Sequence, residues 1–103
     1  MIQRSRRLPS RSHDAATVES LHRDPAFAAQ YLNDVLADGD APELLLALRR
    51  LADSQGGVSA LARRARLNPT SLYRTLSRQG NPELRSVASL LKAMGLRLAV
   101  QLR

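Results

Sequence analysis

Four times between residues 24 and 82 a short polar side chain stands one or two places ahead of a proline: DPAF, DAPE, NPTS and NPEL. Each reads as a helix start. The Asp or Asn oxygen accepts backbone N–H groups that a first turn leaves without partners, and proline brings a pre-set φ where its missing N–H is no loss. A chain punctuated this way is assembled from short helices. The spacing predicts a first helix from Asp24–Pro25 to Gly39. A second is opened by Asp40, Pro42 and Glu43 in capping-box order and ended by Gly56–Gly57. A third runs from about Ser59, its structural cap, to Ala65. Asn68 and Pro69 open a fourth; Asn81 and Pro82 open a fifth, which Gly95 stops.

Apolar residues fall at helical intervals inside these brackets. The inward stripes are Phe27, Tyr31, Leu32, Val35 and Leu36; then Leu44, Leu45, Leu48, Leu51 and Ala52; then Leu61, Ala62 and Ala65; and finally Leu84, Val87, Leu91 and Met94. Aromatics make up only 3% of the chain, so the core is expected to be leucine, alanine and valine, which suits packed helices. The end of the chain changes period. In LRLAVQLR, Leu96, Leu98, Val100 and Leu102 alternate with Arg97, Ala99 and Gln101, which is a strand pattern with nothing in the chain to pair with. The fold class predicted is all-α: five helices over residues 13–95, a flexible basic tail over 1–12 and a short C-terminal β-strand over 96–103. The strand is expected to dimerise through Leu96, Leu98, Val100 and Leu102, because a second copy would close its open edge.

Charge divides the chain more sharply than its net of +7 suggests. Residues 1–12 hold four arginines and no acid, and residues 13–56 hold eight acids against three arginines. Residues 57–103 hold nine basic residues against Glu83 alone. Such a split points to two unlike partners, or to one partner and a solubilising face. The absence of cysteine fits a reducing compartment, and with no signal-peptide core or apolar span the expectation is a cytoplasmic protein with no membrane partner. Catalysis is not expected. His13 and His22 share no helical face, Asp34, Asp38 and Asp40 are explained by a capped turn, and there is no phosphate loop, nucleophile motif or zinc spacing. No metal or cofactor is implied.

The basic part carries the chemistry. Residues 61–82, LARRARLNPTSLYRTLSRQGNP, place five arginines and no acid on a leucine framework. Two short helices about three residues apart, the second opened by a capped proline, have helix-turn-helix spacing, although plain bundles contain such pairs too. Ala62 permits close approach, Leu67 anchors the turn, and Leu72 and Leu76 dock the second helix. That leaves Thr70, Ser71 and Arg74 outward as candidate base-reading residues, since short polar groups approach base edges and an arginine a turn later reaches guanine. Tyr73 reads equally as a half-buried core aromatic or a phosphate contact. Ser59, Arg63, Arg64, Asn68, Arg78 and Asn81 complete the candidate phosphate-contacting set.

The stretch VSALARRARLNPTSLYRTLSRQGNPELRSVASLLKAMGLRL closely resembles the Xre-type helix-turn-helix of the addiction-module antidote family, the HigA-like antitoxins. The most specific pieces are SLYRTLS, GNP and LLKAMGLRL, and the likeness covers roughly residues 14–101. It implies a five-helix, lambda-repressor-like DNA-binding domain, a homodimer on double-stranded operator DNA, and a cognate toxin, typically a RelE/HigB-like ribonuclease. The function implied is that of an antitoxin of a type II toxin–antitoxin module, which neutralises its toxin and represses its own operon. A stand-alone Xre-family repressor and a sequence-indifferent basic protein that coats nucleic acid are the alternatives. The chain departs from the resemblance at Arg66, where the turn usually has glycine. Because toxins of that kind are basic, the acidic cluster Asp34, Asp38, Asp40 and Glu43 is the candidate toxin-binding surface.

Overall fold

The computed structural model describes residues 14–77 and 79–102. The tail expected over residues 1–12, together with His13, Arg78 and Arg103, lies outside the described residues. The chain is helical over residues 14–23 (α1), Pro25–Asp38 (α2), Ala41–Ser54 (α3), Val58–Ala65 (α4), Pro69–Thr75 (α5) and Leu84–Ala93 (α6). Over the described residues it is all-α, with six helices where the sequence predicts five. The addition is α1. Its Leu21 is buried and its other anchors are polar and distant, with the Asp14 carboxylate paired to Arg50 and His22 Nδ1 2.8 Å from the Ser54 carbonyl oxygen.

Three of the four proline brackets work as read. Asp24 Oδ1 accepts from the N–H groups of Ala26 and Phe27 at 3.0 and 3.3 Å. Asp40 and Glu43 exchange both capping-box bonds at 3.0 Å, and Asn68 Oδ1 accepts from Ser71 N–H at 2.9 Å. The fourth does not. Glu83 keeps an extended backbone (ψ 148°), so α6 begins at Leu84, past Asn81 and Pro82, and without a side-chain cap. Leu84 then stands at the open end of the helix, 73% exposed rather than inward. Ser59 is likewise not a cap: α4 begins one residue earlier, behind Gly57.

Three helices close alike. The backbone N–H groups of Gly57, Leu67 and Leu96 bond back to the carbonyls of Ala52, Ala62 and Leu91 at 2.8–2.9 Å, each across a residue of positive φ. That residue is Gly56 (96°), Arg66 (60°) and Gly95 (80°). The left-handed conformation satisfies carbonyls that the helix end would otherwise leave open. Arg66 adopts it at a steric cost of about 1–2 kcal/mol that glycine does not incur.

The core draws Leu21, Leu32, Leu48, Leu51, Leu61, Leu72, Leu76, Leu90 and Leu91 from all six helices and holds no aromatic. Each leucine so buried contributes about 1.5–3 kcal/mol. Ala47, Ala52 and Ala62 have no exposed surface at all. α2 packs on α3, α3 on α4, and α4 on both α5 and α6. Two residues of the expected α2 stripe stay outside, Phe27 at 39% and Leu36 at 49% exposure. They stand nine residues apart, half a turn round the helix, so one core cannot take both.

No strand forms among the described residues of the C-terminal segment. Leu96 packs against the core, while Val100 and Leu102 are 99% exposed. Alternation sets which way side chains point, but a strand is held by hydrogen bonds to a neighbour, and a single chain offers none.

Candidate nucleic-acid interface

The Arg66 closure turns the chain out of α4, and Asn68 with Pro69 restarts it as α5 three residues later. Leu67 packs inward between them. α5 is fastened on its inner side by buried Leu72 and Leu76, and at its end Arg49 of α3 donates to the Leu76 carbonyl at 2.6 Å. Sequence reasoning missed Arg49, because a contact spanning 27 residues leaves no mark in local spacing.

The rest of α5 faces solvent. Thr70, Ser71, Tyr73 and Arg74 are all exposed, with Arg74 on the side of the helix away from Leu72 and Leu76. Tyr73 lies along the flank of α5, in a groove shared with Asp14, Arg49 and Leu76. Arg63 and Arg66 are exposed just before the turn, and Arg64 reaches back to the end of α3, donating to the Gln55 carbonyl at 3.2 Å. Asn68 spends its Oδ1 on the cap, Ser59 is half-buried in the first turn of α4, and Asn81 is exposed ahead of α6. From Arg63 to Arg74 the surface thus carries four arginines and no carboxylate.

The acidic candidates sort into two kinds, though all four are exposed. Asp40 and Glu43 are occupied with each other's backbone in the capping box. Asp34, which accepts from Gln30 at 2.8 Å, and Asp38 project from the outer face of α2. Phe27 shares that face, about two and three turns before them, and stacks on Tyr31 with ring centroids 6.3 Å apart. The sequence reading placed Phe27 in the core, so this aromatic beside two acids is new. Behind it the Tyr31 hydroxyl accepts from Arg50 at 3.1 Å. That bond, with the Asp14 carboxylate, raises the Arg50 pKa against the opposing effect of burial.

Among the described residues, no three His, Asp or Glu side chains gather as a metal site would need, and no helix is long and apolar enough to cross a membrane. What the fold presents is a small helical protein with an acidic outer face on α2 and a basic one on α4 and α5. The model of a family described as probable addiction module antidote protein matches residues 12–102, and the chain belongs to that family. Over 71 residues, 69% of this chain and 72% of the relative, it is 35% identical to an uncharacterized protein of Haemophilus influenzae. No solved structure matches it. An addiction-module antidote is the antitoxin of a toxin–antitoxin pair, so membership implies a cognate toxin as partner.

Proposed function

We propose that the protein is a DNA-binding antitoxin of the Xre/HigA-like kind, which neutralises a RelE/HigB-like ribonuclease and represses its own operon as a dimer. The observation that carries the reading is the mounting of α5. Its inner side and its end are fixed by Leu72, Leu76 and Arg49, while Thr70, Ser71 and Arg74 stand outward in an acid-free stretch. A helix held so firmly by its back is suited to reading a major groove with its front. In this reading Thr70, Ser71 and Arg74 contact bases, and Ser59, Arg63, Arg64, Asn68, Tyr73, Arg78 and Asn81 contact phosphates. The outer face of α2 meets the toxin through Asp34 and Asp38, with Asp40 and Glu43 at its rim. Leu98, Val100 and Leu102 pair with their copies in a second chain, continuing from Leu96, which covers exposed apolar side chains and sets two recognition helices on a two-fold axis.

The test is binding to the duplex just upstream of the protein's own reading frame. A palindromic footprint is expected, with half-sites about one helical turn (~34 Å) apart, surviving excess competitor DNA, and an isolated half-site should bind far more weakly. Arg74→Ala should cost about 1–3 kcal/mol and relax selectivity at one base pair per half-site. A complex stripped by competitor would make the protein a sequence-indifferent coat. An unchanged footprint with Arg74→Ala would remove α5 from the reading role.

A further inference from the structure

We propose that Phe27 is the anchor of the toxin-facing surface: its ring enters an apolar pocket on the partner, while Asp34 and Asp38 pair with cations at the rim of that pocket. The inference rests on the reading of the outer face of α2 as the toxin site, and it adds the residue that holds the complex together. By helical geometry, Asp34 and Asp38 fall within about 20° of the direction of Phe27, roughly 10 and 16 Å further along α2. From Asp24 to Glu43 the chain holds five acids and no basic residue. A basic protein is the partner that complements such a face, and an apolar pocket is what its aromatic fits.

The ring is held ready. It stacks on Tyr31 with an interplanar angle of 26°, and the Tyr31 hydroxyl is bonded to Arg50, which is itself paired with Asp14. Braced from behind in this way, Phe27 has little rotamer freedom left to lose on binding. It also borders an open hollow of about 300 Å³, together with Ser20, Arg23 and Asp24. The charges of that hollow are occupied, since Arg23 pairs with Glu19 at 3.6 Å and Asp24 caps α2. Nothing there competes with the acids for the partner's cations, and burying the exposed part of the ring is favourable. Leu36 supplies the contrast. It is more exposed than Phe27 and stands on the same helix, but it faces the opposite way from both acids.

Binding kinetics separate the two roles. The full chain and its variants are passed over the immobilised product of the adjoining reading frame, and both rates are measured at low and high salt. Phe27→Ala should speed dissociation about thirtyfold or more and leave association unchanged within about twofold. Leu36→Ala should change neither rate. Asp34→Lys with Asp38→Lys should instead slow association, by a factor that shrinks as salt rises. Circular dichroism checks each fold. Phe27→Leu keeps the apolar bulk without the ring and should still speed dissociation about tenfold, so it serves if the alanine variant does not fold. Wild-type dissociation of the Phe27 variants, with the charge reversal still damaging, would overturn the anchor and leave the acidic face as the toxin site. An equal effect at Leu36 would overturn it as well, because the contact would then not be confined to the acidic face. If neither ring nor acids matter, or if no complex forms, the toxin reading of α2 falls and the anchor falls with it.

Discussion

Asp24 and Asp40 open α2 and α3 with a carboxylate, whereas Asn68 opens α5 with an amide. As caps the two side chains are near equals, since each presents one oxygen to the same backbone N–H groups. They differ in charge. In the acidic half the cap adds to a surface that already repels phosphate, and in the basic half the same job is done without placing a negative charge beside the turn. Of the other described helix starts in the basic half, Gly57 ahead of α4 follows the same rule, whereas Glu83, the one acid there, stands ahead of α6, away from the turn between α4 and α5. Local stability therefore does not decide between Asp and Asn at these positions.

The largest expected effect comes from reversing the acidic face. Asp34→Lys with Asp38→Lys leaves the capping box intact, and it should cost toxin binding on the order of 2 kcal/mol or more while sparing the duplex. Pull-down with the cognate toxin, beside a gel shift on the upstream DNA, checks both. Loss of both activities would mean that the halves do not divide the labour. Asn68→Asp sharpens the comparison at a single atom. Melting temperature should hardly move, because the Ser71 N–H keeps its acceptor, yet duplex affinity should drop about tenfold, ~1.4 kcal/mol. Asn68→Ala is the counterpart, losing about 1 kcal/mol of stability with the cap. If Asp and Asn bind DNA equally well at position 68, charge is not what selects the cap. The smallest effect is at Arg66. Glycine there relieves the left-handed strain less its own entropy cost, for a net gain of about 0.5–1 kcal/mol in a denaturant titration. The same change removes a cation beside the turn, so stability should rise as DNA affinity falls.

Which parts of the fold were legible follows from how far each determinant reaches. The caps at Asp24, Asp40 and Asn68 need atoms only two or three residues away, and they form as the sequence says. The same device at Asn81 fails because Glu83 stays extended behind Pro82, a conformation no residue pattern records. α1 was invisible for the opposite reason. Its ties to Arg50 and Ser54 span 36 and 32 residues, and its sequence offers neither a proline start nor a glycine stop. The C-terminal alternation is plain in the sequence, but a strand also requires a neighbour, and one chain does not supply it. At the candidate site the outward residues of α5 could be read from Leu72 and Leu76. The tether of Arg49 to Leu76, and the emergence of Phe27 beside Asp34 and Asp38, belong to tertiary packing alone.

The sealed alanines make the interior a ruler. Ala47, Ala52 and Ala62 put only a methyl group between helices, so the distance from α3 through α4 to α5 is set by side-chain volume that is not there. Ala62→Val would cost about 1–3 kcal/mol of overpacking, and the strain would be relieved by a shift of one helix against another. Such a shift carries α5 with it, so a substitution with no exposed atom would move the outward residues Thr70, Ser71 and Arg74. The orientation of the outward face of α5 is therefore set by buried small residues as much as by the residues on that face.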